Sequence, residues 1–129
     1  MSSIFTKIIN GEIPCYKVAE SESFLAFLDV NPNALGHTLV VPKKEVNKLF
    51  DLDREAYLGL MDFAYKVAGA LEKAVPCKRV GMAVIGLEVP HVHIHLIPLN
   101  QMTDATFGKK VTLSQEEFVA VAEKIAGNL

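Results

Sequence analysis

Apolar residues follow two different periods along the chain, and each period predicts its own kind of element. Short apolar runs that are rich in β-branched residues and bounded by turn-forming residues are typical of strands. Five such runs are present: Tyr16 to Ala19, Phe24 to Leu28, His37 to Val41, Val80 to Gly86 and Val92 to Pro98. The first two are separated by the polar Glu20-Ser21-Glu22-Ser23, so we expect them to form a hairpin.

A longer period marks the middle of the chain. Between about Arg54 and Val75, apolar residues recur every three or four positions, as they do on the buried side of an α-helix. The recurring residues are Tyr57, Leu60, Met61, Ala64, Val67, Ala68 and Leu71. We predict a long helix here, with Asp51 or Asp53 as its N-cap and Pro76 just after its end.

Two shorter helical segments are predicted near the ends of the chain. Ile4 to Ile9 is apolar enough for a turn or short helix, which Asn10-Gly11 ends. Ser114-Gln115-Glu116-Glu117 has the Ser-x-x-Glu form of a capping box. It predicts a C-terminal helix that extends to about Ile125.

These elements together predict an α+β fold. Strands precede and follow the long helix without regular alternation, which favours a five-stranded antiparallel sheet packed with the long central helix and the C-terminal helix. The sequence has no repeat, low-complexity stretch or linker, so residues 1–129 are expected to form one domain. The long helix also carries Leu58, Phe63 and Tyr65 outside its main apolar stripe, which indicates either deep burial or a subunit interface.

Composition narrows the class of protein. Half of the chain is apolar and 22% is charged, which is typical of a globular protein. A net charge of −2 provides no field for nucleic acid or an anionic membrane, and no apolar run approaches the roughly 20 residues of a membrane span. With two cysteines in no paired spacing and no signal-peptide layout, we expect a cytoplasmic protein without nucleic-acid or membrane partners.

Three of the four histidines lie at positions 91, 93 and 95, at the start of the last predicted strand. Side chains alternate between the two faces of a strand, so these imidazoles are expected to share a face at intervals of about 6.5–7 Å. Adjacent imidazoles repel each other when they are protonated, a cost that a Ser or Thr face would avoid. We therefore predict that His91, His93 and His95 form an active site.

Two chemistries fit this row of imidazoles. Two histidines that are two residues apart on a strand can share a zinc ion, with His37 or a cysteine as a further ligand. Alternatively, a neutral imidazole is a nucleophile for phosphorus at neutral pH, and its neighbours hold the phosphate oxygens. Neither Cys15 nor Cys77 has the spacing of a metal ligand, which favours the second chemistry.

The chain resembles the histidine-triad (HIT) family in several segments. The family motif His-φ-His-φ-His-φ-φ, where φ is apolar, is matched by His91-Val92-His93-Ile94-His95-Leu96-Ile97. Ile4-Phe5-Thr6-Lys7-Ile8-Ile9, with Glu12-Ile13-Pro14, is similar to the family's N-terminal segment. Ala26-Phe27-Leu28-Asp29-Val30-Asn31-Pro32 and His37-Thr38-Leu39-Val40-Val41-Pro42-Lys43-Lys44 are similar to its second and third strands. The resemblance covers roughly residues 4 to 98 and leaves the C-terminal thirty residues uninformative.

This resemblance implies a metal-independent nucleotide hydrolase or nucleotidyl transferase that uses no cofactor. Members of the family split phosphoramidates, dinucleoside polyphosphates or similar substrates. By the match of residues, His93 attacks the α-phosphorus to give a nucleotidyl-histidine, while His91 and His95 orient that ring and contact phosphoryl oxygens. His37 matches an upstream histidine that completes the cluster.

The resemblance also implies where the nucleotide binds. Asp29 matches the position that holds the ribose hydroxyls, and one carboxylate accepts two hydrogen bonds. The apolar slot for the base, expected to be a purine, is formed by Phe5, Ile8, Phe27, Val30 and Leu39. Glu88 and Val89, which Pro90 separates from the triad, complete the candidate contacts. The family's usual unit is a homodimer that shares one continuous sheet, so we expect a homodimer.

The segment before the triad departs from the family pattern. Ala83-Val84-Ile85-Gly86-Leu87-Glu88-Val89-Pro90 is shorter than the usual Gly-rich loop, and Leu87-Glu88 replaces a Gln-Ser or Gln-Thr pair. A hydroxyl there donates to phosphate, whereas an ionised Glu88 would repel it. Three interpretations stay open: Glu88 points away, it is protonated and donates, or it recognises a cationic leaving group. The altered loop also motivates a second hypothesis, a nucleotide-binding module with weak or lost catalysis, and a zinc-binding protein that uses the same histidines is a third.

Overall fold

The computed structural model describes residues 2–129 and confirms the predicted α+β fold. Within that range the elements are α1 (Ile4–Ile9), β1 (Lys17–Glu20), β2 (Phe24–Leu28), β3 (Thr38–Pro42), α2 (Arg54–Ala74), β4 (Arg79–Ala83), β5 (Ile94–Leu99) and α3 (Gln115–Ala126). Two short 3₁₀ helices, Leu49–Asp51 and Met102–Ala105, were not predicted. Segments of three and four residues are too short to show a period in the sequence.

The strands form an antiparallel sheet in the order β1-β2-β3-β5-β4. Its centre is the pairing of β3 with β5, in which Thr38 lies opposite Leu96 and Leu39 lies opposite His95. Since α2 and β4 lie between these strands in the chain, the pairing joins distant segments. It brings His37, the residue before β3, beside His95, the second residue of β5.

Two predicted strands are shorter in the structure. β4 ends at Ala83 rather than Gly86, and β5 begins at Ile94 rather than Val92. The reason is the ladder between them, because Ala83 is the last residue of β4 with a partner, His95. The residues before Ile94 lie outside the sheet, where the N–H of Val92 donates to the carbonyl of Val46 at 2.8 Å.

The two faces of the sheet carry different layers. Ala26, Val40 and Ile94 lie on the face that packs against α2 and α3 in the main core. The alternate positions, such as Phe27 and Leu39, lie on the opposite face, where they pack with Phe5 of α1. The alternation expected around the triad is present, because Val92, Ile94 and Leu96 belong to the main core. The histidines therefore lie on the thinner side, where one short helix leaves room for a cavity.

Both long helices begin at the caps that the sequence favours. The carboxylate of Asp53, rather than that of Asp51, accepts the N–H of Ala56 at 2.8 Å and starts α2. At the start of α3, Ser114 and Glu117 exchange the two hydrogen bonds of a capping box. Each bond satisfies a backbone N–H that has no partner inside the helix.

The surplus apolar surface of α2 is not covered within the chain. The side chains of Leu58 and Tyr65 are 53% and 78% exposed, so the deep burial considered for them is wrong. Phe63 is half-buried against Phe24, at 5.6 Å between ring centroids. Among the helices of residues 2–129, none combines the length and apolar character that a membrane crossing requires.

We predict that Gly36→Ala destabilises the protein by about 2–4 kcal/mol, because it combines backbone strain with overpacking. Gly36 has a φ of +90°, and a Cβ there would lie 2.9 Å from Val75 Cγ2 and 3.0 Å from Leu71 Cδ1. The free energy of unfolding in urea is the measurement. Gly69→Ala is the matched control, since Gly69 is exposed in α2 with open space around it, and we expect a gain of about 0.5–1 kcal/mol. Equal effects of the two substitutions would contradict the prediction.

Candidate active site

The four histidines form one buried cluster. The side chains of His37 and His91 are fully buried, and those of His93 and His95 are 7% and 8% exposed. The rings of His93 and His95 are 5.0 Å apart between centroids, and those of His37 and His95 are 5.2 Å apart. His93 and His95 line a cavity of about 780 Å³, whereas His37 and His91 lie behind it.

Backbone hydrogen bonding fixes the nucleophile candidate. His93 Nδ1 lies 2.8 Å from the carbonyl oxygen of His91. A carbonyl oxygen can only accept, so Nδ1 carries the proton and donates it. In the neutral ring, Nε2 is then left with a free lone pair on the cavity side. His93 is thus held in the tautomer that a nucleophilic imidazole needs.

A second chain of hydrogen bonds fixes His95. The backbone N–H of Asn33 donates to His37 Nδ1 at 2.9 Å, so neutral His37 carries its proton on Nε2. That atom lies 3.0 Å from His95 Nδ1, which accepts the bond. His95 therefore carries its own proton on Nε2 and presents an N–H donor next to His93.

Burial keeps these two rings neutral. It lowers the pKa of His37 to about 3, with His95 and Lys110 adding to the shift. It lowers the pKa of His95 to about 4, helped by His93 and Lys110. At neutral pH the pair therefore supplies a directed hydrogen-bond donor but no net positive charge.

His91 supports the site from behind. Its Nε2 donates to the carbonyl of Pro42 at 2.8 Å, and its Nδ1 accepts from the Ser3 hydroxyl at 2.7 Å. Burial is the main reason why the pKa of His91 is lowered. Because both ring nitrogens are occupied, the phosphoryl contact predicted for His91 is not available to its ring. His91 acts on His93 through its carbonyl instead.

A polar network attaches α1 to this support. Ser3 is the N-cap of α1, and its backbone N–H donates to Glu45 Oε1 at 2.7 Å. The hydroxyl of Thr6 donates to the same oxygen at 2.6 Å. These bonds, with the Ser3 contact to His91, fix the helix that carries Phe5 over the triad. The ring of Phe5 lies 4.9 Å from that of His93 between centroids.

The residues predicted for the nucleotide all line the cavity next to His93 and His95. They are Phe5, Ile8, Phe27, Asp29, Val30, Leu39, Glu88 and Val89. Phe5 and Phe27 pack at 5.8 Å between ring centroids and form the inner apolar wall. Val30 is 69% exposed and lies at the rim. The cavity thus has an apolar interior and a polar end at the histidines, which suits a base joined to a phosphate.

Asp29 lies between the apolar wall and the histidines. Its Oδ1 accepts the N–H of Asn31 at 2.8 Å, and its Oδ2 lies 3.7 Å from His37 Nε2. Burial raises its pKa, while the Asn31 bond and the charges of Lys110 and His93 oppose that shift. Because Oδ1 already accepts the N–H of Asn31, Oδ2 is the oxygen with more capacity to accept a hydrogen bond from a hydroxyl group.

Asp29, His37 and His95 are also the group whose spacing suggests a metal site, with one donor atom from each within 4.8 Å of the others. The hydrogen bonds do not suit a metal. A histidine ligand presents a lone pair to the ion and usually donates its other N–H to an acceptor. His37 does the reverse, because its Nδ1 faces the N–H donor of Asn33 and its Nε2 carries the proton. The donor set therefore does not fit a metal ion.

The segment before the triad forms one side of the cavity mouth. Ile85, Leu87 and Glu88 line it, and Leu87 is 90% exposed. Gly86 has a φ of +72°, which turns the chain there. Glu88 lies in this wall with an exposed side chain.

Sequence reasoning missed two residues that line the cavity, Phe107 and Lys110. Phe107 follows β5, and its ring lies 4.7 Å from that of His95 and 6.0 Å from that of His37 between centroids. Lys110 lines the same cavity and lies 5.0 Å above the Phe107 ring. The available signal was weak: one aromatic residue beside a glycine in a polar stretch soon after the triad.

A family model for the HIT domain matches residues 10–102, which include all four histidines. That match covers well over half of the chain. The chain belongs to the HIT family. The adenosine 5′-monophosphoramidase of Schizosaccharomyces pombe is 36% identical over 133 residues, which cover 100% of this chain and 99% of that protein.

Solved structures of HIT proteins share this fold over nearly their whole length. A HIT-like protein from Bartonella henselae, described as involved in cell-cycle regulation, has a TM-score of 0.87 at 32% identity, covering 99% of this chain and 96% of that chain. A zinc-bound histidine triad family protein from Mycobacterium smegmatis has a TM-score of 0.81 at 26% identity, covering 98% and 95%. The architecture is therefore that of the family beyond the triad itself.

We predict that the free energy of unfolding falls as the pH is lowered from 7 to 4. The unfolded histidines take up protons near pH 6.5, whereas folded His37 and His95 resist protonation until about pH 3 and 4. The unfolded state thus binds more protons in this window, and each such group contributes a slope of up to about 1.4 kcal/mol per pH unit.

Urea unfolding of the wild type and of His37→Gln at each pH unit measures this effect. The raised pKa of Asp29 acts in the opposite direction, so the difference between the two slopes is the informative quantity. We expect a shallower decline for His37→Gln. Parallel curves would show that His37 is not held neutral by burial.

Proposed function

We propose that this protein hydrolyses or transfers a nucleoside monophosphate through a covalent intermediate on His93. The substrate is a phosphoramidate, a dinucleoside polyphosphate or a related nucleotide conjugate. One observation carries the proposal: His93 Nε2 has a free lone pair at the cavity wall, beside the N–H donor of His95. The full-length similarity to a monophosphoramidase supports the same class of substrate.

The proposed reaction proceeds in two displacements. His93 Nε2 forms a bond to the α-phosphorus, and the bond from phosphorus to the leaving group breaks. Its electron pair goes to the leaving group, which takes a proton from the solvent, and the acceptor returns a proton to the solvent in the second displacement. The His95 N–H donates to a phosphoryl oxygen and offsets the charge that develops there. Water, or another acceptor in a transfer, then displaces His93 from phosphorus and restores the free imidazole.

The rest of the cavity positions the nucleotide. The base, which we expect to be a purine, lies in the cavity against the apolar wall that Phe5, Phe27 and Leu39 form. Asp29 accepts a ribose hydroxyl through Oδ2. The proposal includes no metal: the N–H of Asn33 occupies the lone pair of His37 Nδ1, so Nε2 of that ring carries a proton and offers no lone pair to a metal ion.

The test is intact-mass measurement after rapid quenching with an adenosine phosphoramidate. The wild type is expected to gain the mass of one AMP group, and His93→Ala to gain none while its turnover falls by about 10³-fold or more. AMP affinity of His93→Ala serves as the control for an intact site. An adduct that persists in His93→Ala contradicts the proposed nucleophile. AMP binding by the wild type without adduct or turnover identifies a binding module, and activity that chelation removes contradicts metal independence.

We further propose that two copies form a homodimer through the edge of the sheet. β4 is an edge strand with unpaired backbone groups, and Met82 on it is 50% exposed, as are Leu58 and Tyr65 of α2 at 53% and 78%. Joining two β4 edges makes one continuous sheet and covers these side chains. Light scattering is expected to give twice the chain mass of 14.1 kDa. A mass of one chain at micromolar concentration excludes this dimer.

A further inference from the structure

The cavity has an uneven supply of charge for a ligand that carries a phosphate. Two carboxylates, Asp29 and Glu88, line its wall. Among the lining residues that the structure describes, Lys110 is the one lysine or arginine. A lysine side chain carries a full positive charge at neutral pH. A nucleotide phosphate that enters this cavity therefore meets one permanent cation.

The histidines do not replace that cation. Burial keeps His37 and His95 neutral, with pKa values of about 3 and 4. His91 has both ring nitrogens bonded within the protein, and the nucleophilic role proposed for His93 requires that its Nε2 lone pair is free. The cluster offers a nucleophile and one neutral donor, and the negative charge of the phosphate still needs a counterpart.

Lys110 is held in place by a buried residue. Its Nζ donates to Asn33 Oδ1 at 2.7 Å, and the Asn33 side chain is only 3% exposed. The backbone N–H of the same asparagine donates to His37. The amide of Asn33 also donates to the carbonyl of Asp104 at 2.9 Å, and the Val111 N–H donates to the carbonyl of Pro32 at 2.9 Å. These bonds fix the segment that carries Lys110 beside the hydrogen-bonded pair of His37 and His95.

Aromatic packing sets the direction of the ammonium group. Phe107 lies between Lys110 and His95, at 5.0 Å from Lys110 Nζ and 4.7 Å from the His95 ring centroid. Phe107 has a φ of +62°, a conformation that costs a residue with a side chain about 1–3 kcal/mol and persists where the surroundings enforce it. The neighbouring Lys109 does not line the cavity, so the two lysines differ in position and not in charge.

We infer that Lys110 binds a phosphoryl oxygen of the nucleotide and is the residue by which the site distinguishes nucleotides from nucleosides. An ammonium group has three donors, so Lys110 keeps its bond to Asn33 while it donates to the phosphate. The inference rests on the proposed function, because it takes the ligand to be a nucleotide. A charge-assisted hydrogen bond of this kind contributes about tenfold to hundredfold in affinity.

Calorimetric titration with AMP and with adenosine tests the inference. We expect Lys110→Ala to weaken AMP binding about tenfold to hundredfold and adenosine binding less than about twofold. Lys110→Arg, which keeps the charge, is expected to recover most of the AMP affinity. Lys109→Ala removes the same charge one residue away and is expected to leave both affinities within about twofold of the wild type, because Lys109 does not line the cavity and solvent screens a charge outside it.

Each outcome decides a separate point. An equal loss for AMP and adenosine in Lys110→Ala shows a structural role and overturns the inference, as does an equal effect of Lys109→Ala. A wild type that turns over the phosphoramidate, with unchanged AMP affinity in Lys110→Ala, contradicts the inference alone. AMP binding that depends on Lys110, without any adduct on His93, supports the inference and contradicts the proposed function.

Discussion

Hydrogen bonds from the backbone fix the protonation of the histidine cluster, and the chemistry of the site depends on them. The carbonyls of Pro42 and His91 accept hydrogen bonds from the rings of His91 and His93, and the N–H of Asn33 donates to His37. A backbone carbonyl or N–H has one role that does not change with pH. Each ring is therefore left with one neutral tautomer. In the neutral rings, Nε2 of His93 carries a lone pair and Nε2 of His95 carries a proton.

The sheet supplies the positions of these backbone groups. Pairing of β3 with β5 places Leu39 opposite His95 and carries His37 to the same end of the sheet. Gly36 makes the turn into β3 with a positive φ in close contact with Leu71 and Val75 of the main core. The packing of α2 on one face thus constrains a histidine on the other. A register slip of one residue would move His95 to the face of α2.

A site built from neutral imidazoles has directed hydrogen bonds but little charge. Its polar end carries the half-buried carboxyl group of Asp29, and its apolar wall includes Phe5 and Phe27. Low dielectric strengthens every remaining electrostatic interaction with a phosphate. We propose that Lys110, which lines this cavity and is bonded to the buried Asn33, supplies the positive charge that the neutral imidazoles lack.

Local periodicity in the sequence determined the elements of this protein. The helix from Arg54, the strand Phe24–Leu28 and the capping box at Ser114 were all predicted, because spacing and capping act between residues close in the chain. The alternation around the triad likewise placed its apolar residues in the core. Strand ends were predicted less well, because a strand ends where its partner does.

Tertiary structure alone decided which groups face the cavity. The sequence treats His91, His93 and His95 as equivalent, yet packing of α1 and β3 occupies both nitrogens of His91 and leaves one free on each of the others. Phe107 and Lys110 come from a segment without period or motif. Their positions follow from hydrogen bonds between that segment and Pro32 and Asn33, far away in the chain. Such contacts have no local signature, because they exist only once the whole sheet has assembled.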